Sequence, residues 1–294
     1  MKLRRIGAFA LCAVLLALAL AGCSGGKKPV ILVVSFGTSY NDSREATIGA
    51  IETAIKAANP GSEVRRAFTS QIIIDKLKDR DGIVIDNVEE AFARLVKDGV
   101  KDLIVQPTHV MSGFEYDDLM KVVDANRSKF ASVRVGAPLL TSDADYDAVI
   151  EAITAATAEY DDGKTLITFM GHGTEHEANA TYAKLQEKLA AAGKTNYCVG
   201  TVEAEPTIED VIAAAKAGGY TRVVLRPLMV VAGDHANNDM AGDDPDSWKS
   251  IFESEGYEVV CVVEGLGQLP EIRDLIVQHC FEAMSDAGIE VSFG

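Results

Sequence analysis

The chain holds only five cysteines in 294 residues, and none of them stands in a Cys-x-x-Cys pair. Cys198, Cys261 and Cys280, the three in the body of the sequence, are odd in number and widely spaced. That pattern excludes a disulfide framework and a cysteine-bound structural zinc site, and it predicts buried apolar thiols instead. No Gly-x-Gly-x-x-Gly and no Walker loop occurs, so nucleotide-driven chemistry has no support in the sequence. Basic side chains are also scarce: 28 Lys and Arg face 44 Asp and Glu, a formal charge of −16. Such a surface repels nucleic acid and favours small cationic partners.

The one long apolar run, Ile6–Ala21, follows the basic Lys2, Arg4 and Arg5. It is too short for a spanning helix and has the layout of an export signal. The run ends in Leu20-Ala21-Gly22-Cys23, a small-residue cleavage site directly before a cysteine, which is the pattern of a bacterial lipoprotein; the plainer alternative is an ordinary secreted protein cleaved nearby. The expected layout is a signal peptide over 1–22 and a tether over 23–29, with Cys23 as the lipidated N-terminus and Ser24–Lys28 a short flexible link. Removal of 1–22 takes three of the 28 basic residues and no acidic one, leaving 25 against 44 and a formal charge of −19. The expected location is extracytoplasmic, anchored to the membrane by lipid rather than spanning it.

Beyond the tether, Val30–Ser35 is a continuous β-branched run, as a parallel strand buried on both faces should be. A helix follows, starting near Asp42 or Ser43 and periodic through Ile48, Ile51 and Ile55, until Asn59-Pro60-Gly61 ends it. Strands over 63–68, 102–106 and 133–137 and a helix over 88–97 complete an alternating α/β unit. A second unit restarts at Lys164–Thr174, where a buried strand again runs into a Gly-Thr turn. The segments Leu103–Glu115 and Val223–His235 also read as copies: Pro107 pairs with Pro227, Gly113 with Gly233, and Glu115 falls opposite His235. The fold class expected is α/β, with two similar Rossmann-like parallel-sheet lobes related by a pseudo-twofold duplication, divided at 30–160 and 161–294.

Four of the five histidines, His109, His172, His176 and His235, lie at expected C-terminal ends of strands or in the loops beyond them, where open α/β sheets bind ligands. His172 sits between Gly171 and Gly173, a loop that allows close backbone approach. His235 has Asp234 and Asp239 nearby to orient its ring. Glu203 or Glu205, after another short strand, can add a carboxylate. Two imidazoles, one carboxylate and an open position suit a borderline divalent metal that must be exchanged. His172-Gly-Thr-Glu175-His176 also fits the H-x-x-E-H pattern of inverted zinc peptidases, but the flanking glycines argue for a loop rather than the helix which that motif requires. His109, at the repeat position of Met229, is left open between a cleft residue, an interfacial ligand and a packed core histidine. The Ser35-Phe36-Gly37-Thr38 turn can approach a ligand through its backbone N–H groups.

The segments Val33–Tyr40, Arg66–Ser70, Phe169–Gly173, Pro227–Met240 and Asp246–Trp248, in that order and spacing, resemble the anaerobic cobaltochelatases of the CbiK type, class II chelatases, from about Pro29 to the C-terminus. That resemblance implies a bilobal fold and ATP-independent insertion of a divalent metal, Co2+ with Fe2+ or Ni2+ as further candidates, into sirohydrochlorin or a related tetrapyrrole. Carried over by motif, the metal ligands fall on His172, Glu203 and His235, with Glu115 as a further acidic residue of the cleft. Catalytic roles are expected for His172, His235 and Glu115, and substrate contacts for Ser35, Phe36, Gly37, Thr38 and Arg66, with Arg226 a second basic residue for peripheral carboxylates. The departure from the family is the exported N-terminus. It motivates the alternative of a non-catalytic lipoprotein that binds or carries a metal or tetrapyrrole outside the membrane. Whether haem is bound and whether the chain forms a homo-oligomer are not legible. Cys23→Ser should shift the mature protein from the membrane to the soluble fraction, as read by fractionation together with mass spectrometry of the N-terminal peptide.

Overall fold

A computed structural model describes residues 28–285, so the expected signal peptide, Cys23 and most of the tether lie outside the described residues. The chain alternates strand and helix as β1 (Val30–Ser35), α1 (Asn41–Arg44), α2 (Ala50–Ala58), β2 (Val64–Phe68), α3 (Gln71–Asp81), α4 (Val88–Lys97), β3 (Asp102–Pro107), α5 (Phe114–Asn126), β4 (Ser132–Val135) and α6 (Asp143–Ala156). It continues as β5 (Thr165–Gly171), α7 (Ala180–Ala191), β6 (Tyr197–Thr201), α8 (Ile208–Gly218), β7 (Arg222–Pro227), α9 (Trp248–Ser254), β8 (Glu258–Cys261) and α10 (Pro270–Met284). Among the described residues no helix is long and apolar enough to cross a membrane.

Two four-stranded parallel sheets result, in the orders β2-β1-β3-β4 and β6-β5-β7-β8. The two orders are the same once the halves are superposed in sequence, so the duplication read from the repeated segments extends to strand order. Equivalent registers follow: Pro107 stands beside Val34 of β1, and Pro227 beside Met170 of β5. The helices before β3 and β7 also begin alike. Asn87 and Glu90 form a capping box on α4, and Thr207 and Asp210 form one on α8, each satisfying N–H groups that a helix start leaves without partners.

The central strands β1 and β5 are buried at nearly every position, which explains their unbroken apolar runs. Their side chains alternate between two cores, as the pleat requires. Ile31, Val33, Ile167 and Phe169 face a core shared between the lobes, while Leu32 and Val34 face an outer core on the first sheet and Leu166 and Met170 one on the second. The first helical region departs in detail from expectation. A wider π turn over Glu45–Gly49 joins α1 to α2, yet Ile48, Ile51 and Ile55 are all fully buried, as their spacing requires.

Packing crosses the division of the chain at residue 160. Helix α10 returns from the second half to pack on α2, β3 and β4 of the first sheet, while α6 of the first half packs on α7. At this seam His279 Nε2 lies 3.0 Å from Asp145 Oδ1, and both residues are buried. The other Asp145 oxygen accepts from the backbone N–H of Ser142 at 2.6 Å at the start of α6. Burial acts to raise the Asp145 pKa, but the Ser142 N–H and the His279 ring outweigh it and hold the carboxyl below its ordinary value. A depressed carboxylate stabilises the fold above its unfolded pKa, and that contribution disappears as pH falls through the folded value. Asp145→Asn should therefore cost about 2 kcal/mol at neutral pH, the scale of a hydrogen bond to a charged group. In thermal melts, the gap between wild type and variant should close on acidification below about pH 4.

Candidate metal centre

The C-terminal ends of β5, β6 and β7 bring three ligating side chains together. One ligand atom from each of His172, Glu203 and His235 lies within 4.8 Å of the others. The imidazoles of His172 and His235 meet edge to face, with ring centroids 4.6 Å apart at 88°. Glu203 Oε2 is 3.7 Å from His172 Nδ1, beyond hydrogen-bond reach, so the carboxylate is not tied up by that ring nitrogen. His172 and Glu203 are exposed and His235 is half-buried, so the cluster is open to an incoming ion and to a second ligand. Of the two glutamates, Glu203 belongs to this group and Glu205 does not.

Backbone geometry holds this cluster. The Glu203 N–H donates to the His172 carbonyl at 2.9 Å, tying the β5 loop to the β6 loop. Gly173 makes the approach possible: its φ is +86°, and a Cβ there would lie 2.7 Å from the Ala204 nitrogen. Any side chain at 173 would push the loops apart. The equivalent Gly37 after β1 also has a positive φ, +102°, so the turn is repeated even though the ligand is not. Phe36 stands where His172 does, and it is 46% exposed.

Each ring is oriented through Nδ1. His235 Nδ1 lies 2.7 Å from Asp239 Oδ2, and His172 Nδ1 lies 2.7 Å from the Gly173 carbonyl. With Nδ1–H donating to these acceptors, Nε2 of each ring keeps its lone pair for a metal. Asp239 reaches His235 because Ala236–Met240 forms a π turn directly after it. Asp234, the other carboxylate expected to orient His235, instead accepts from the Asn238 amide at 2.9 Å and faces the Tyr40 hydroxyl at 3.4 Å.

The remaining sequence candidates fall in different places. Glu115 is exposed in the first turn of α5 and stands outside the three-residue cluster. Ser35 and Thr38 are buried: the Ser35 hydroxyl accepts from Thr108 Oγ1, and Thr38 Oγ1 accepts from the Tyr40 N–H. These two side chains therefore shape the turn, while Phe36 is the member of it that faces outward. Arg66, expected to hold a substrate carboxylate, has its guanidinium paired with Glu52 through contacts of 2.7 and 2.6 Å. Arg226 is 2% exposed and paired with Glu264 at 3.1 Å. His109 lies in the loop after β3 with both ring nitrogens enclosed and without a hydrogen-bond partner among the described residues. Burial pushes its pKa down to about 4, so the ring is neutral at pH 7. His176 precedes α7 rather than lying on it, which removes the helical geometry of the peptidase motif. Cys198 and Cys280 behave as apolar thiols, pushed by burial up to about 11 and about 12.

A two-lobed α/β scaffold with an open His-Glu-His cluster at its strand ends fits the class of metal chelatases. Two solved structures share the fold: SirB from Bacillus subtilis with Fe3+ (TM-score 0.63, 12% identity, 88% of this chain and 97% of that one) and CbiX, described as the terminal enzyme for biosynthesis of siroheme in denitrifying bacteria (TM-score 0.51, 15% identity, 87% and 100%). Within that class the chain belongs to the cobalt chelatase (CbiK) family, whose model matches residues 29–285. It is 40% identical over 260 residues to the sirohydrochlorin cobaltochelatase of Salmonella typhimurium strain LT2, covering 88% of this chain and 98% of the relative. It is 33% identical over 260 residues to the sirohydrochlorin cobaltochelatase CbiKC of Nitratidesulfovibrio vulgaris strain Hildenborough, covering 88% and 91%. Asp239→Asn keeps an acceptor near His235 but removes its charge. Cobalt affinity, measured by competition with a chromophoric chelator, should fall about 10–100-fold.

Proposed function

We propose that the chain inserts Co2+ into sirohydrochlorin, without a nucleotide, at the mouth between its two lobes. The observation that carries this reading is the open cluster of His172, Glu203 and His235, on a chain that covers nearly the full length of cobaltochelatase relatives. Insertion requires the ion to shed water and the macrocycle to lose two pyrrole N–H protons. The two imidazoles and Glu203 hold the incoming ion and replace part of its hydration. A ring nitrogen bound to the ion cannot also take a proton, so proton acceptance falls to carboxylates, with Glu115 on the opposite lobe as acceptor or as a guide for the cation. Phe36 offers an apolar surface to a flat macrocycle at the position equivalent to His172.

Histidine and carboxylate ligands also accept Fe2+ and Ni2+, so the metal used is decided by geometry and supply as well as by affinity. The lipobox at Cys23 supports an exported, lipid-anchored form of the protein. It also motivates the second reading, a carrier that binds metal or tetrapyrrole without accelerating insertion. Purified mature protein mixed with sirohydrochlorin and Co2+, followed by absorbance, separates the two. Turnover above the uncatalysed rate supports the chelatase, and binding without acceleration supports the carrier. His235→Ala should lower the rate by more than the roughly 10–100-fold that losing an outer partner of a ligand costs, with circular dichroism unchanged; retained turnover overturns the assignment.

A further inference from the structure

His176 lies on the metal-bearing loop after β5 but takes no part in the ligand cluster, and its contacts reach the other lobe. Its Nδ1 accepts the Ala178 N–H at 3.0 Å and so caps the short turn Glu177–Asn179. With Nδ1 accepting, the ring carries its proton on Nε2, and that nitrogen lies 3.2 Å from Asp117 Oδ2 on α5. The ring also meets the Phe114 ring edge to face, at a centroid distance of 4.9 Å. Its side chain is only 16% exposed. Phe114 and Asp117 flank Glu115 in the first turn of α5, so both contacts grip the turn that carries this carboxylate.

We infer that His176 is a positioning residue, which straps the start of α5, and Glu115 with it, to the loop that carries His172. This rests on the proposed chelatase reading for its catalytic meaning, though the strap itself is a matter of geometry. Two contacts are better suited to this than one. The polar contact of Nε2 with Asp117 fixes how far α5 stands from the β5 loop, while the aromatic edge-to-face contact resists rotation of its first turn. Loss of either lets the carboxylate drift from the ion, and a misplacement of about 1 Å can cost on the order of a hundredfold in rate.

His176→Asn tests the strap selectively, because the Asn Oδ1 can replace Nδ1 in the cap while nothing replaces Nε2. The expected result is a fall in kcat of about tenfold or more, with Co2+ affinity within about twofold of wild type, since a change of that size is well below the cost of losing even an outer partner of a ligand. Asp117→Asn should lower kcat in the same way, and the double variant should be no slower than the slower single one, because both remove one contact. Backbone hydrogen exchange over residues 114–120, read by mass spectrometry without substrate, should quicken in each variant. Unchanged exchange, unchanged kcat or fully additive losses overturn the inference, and so does a collapse of Co2+ affinity, which would make His176 part of the ligand scaffold. A wild-type protein with no turnover defeats the chelatase reading instead, while the exchange experiment still decides whether the strap exists.

Discussion

The hydrogen bond from the Glu203 N–H to the His172 carbonyl, allowed by the missing Cβ of Gly173, is the contact on which the candidate metal centre depends. It draws the β5 and β6 loops close enough for an imidazole and a carboxylate to share one ion. The third residue of the cluster arrives from the loop after β7, the other neighbour of β5 in the sheet. In a parallel sheet the three C-terminal ends emerge on one edge, so the fold supplies proximity and the glycine supplies contact. Two Nδ1 hydrogen bonds then decide which nitrogen faces outward.

The symmetry of the frame sets off the asymmetry of the chemistry. Both sheets have the same strand order, and both first turns carry a glycine with positive φ. The second half places two imidazoles in the cluster, while the first has Phe36 and Glu115 at the equivalent positions. A macrocycle that must bind a metal on one face and surrender protons needs unlike walls. A duplicated scaffold whose loops have diverged provides them.

Much of this was legible in the amino-acid pattern, for identifiable reasons. Continuous β-branched runs mark strands buried on both faces, and β1 and β5 lie where those runs stand. The pairing of Pro107 with Pro227 carried the duplication, and a histidine at a glycine-flanked strand end is a local signal that survives folding. Partnerships between distant side chains were not legible. Nothing near Arg66 in sequence announces Glu52, and nothing near Arg226 announces Glu264, so both arginines seemed free for a ligand. The contact of His176 with Asp117 crosses from one lobe to the other and has no periodic trace. Residues over 1–27 carry the strongest compositional signal of all, yet they lie outside the described residues.

Helix α10 gives the two lobes a relation that a single linker would not. The chain leaves the first sheet after β4, and after β8 it comes back to lay its last described helix on that same sheet. Two strands of backbone therefore cross between the halves, with a buried carboxylate and imidazole between the helices at the crossing. Severed near residue 160, the first half would lose the helix that packs on α2, β3 and β4. The two halves are therefore joined twice, once by the chain leaving β4 and once by α10 returning to the first sheet.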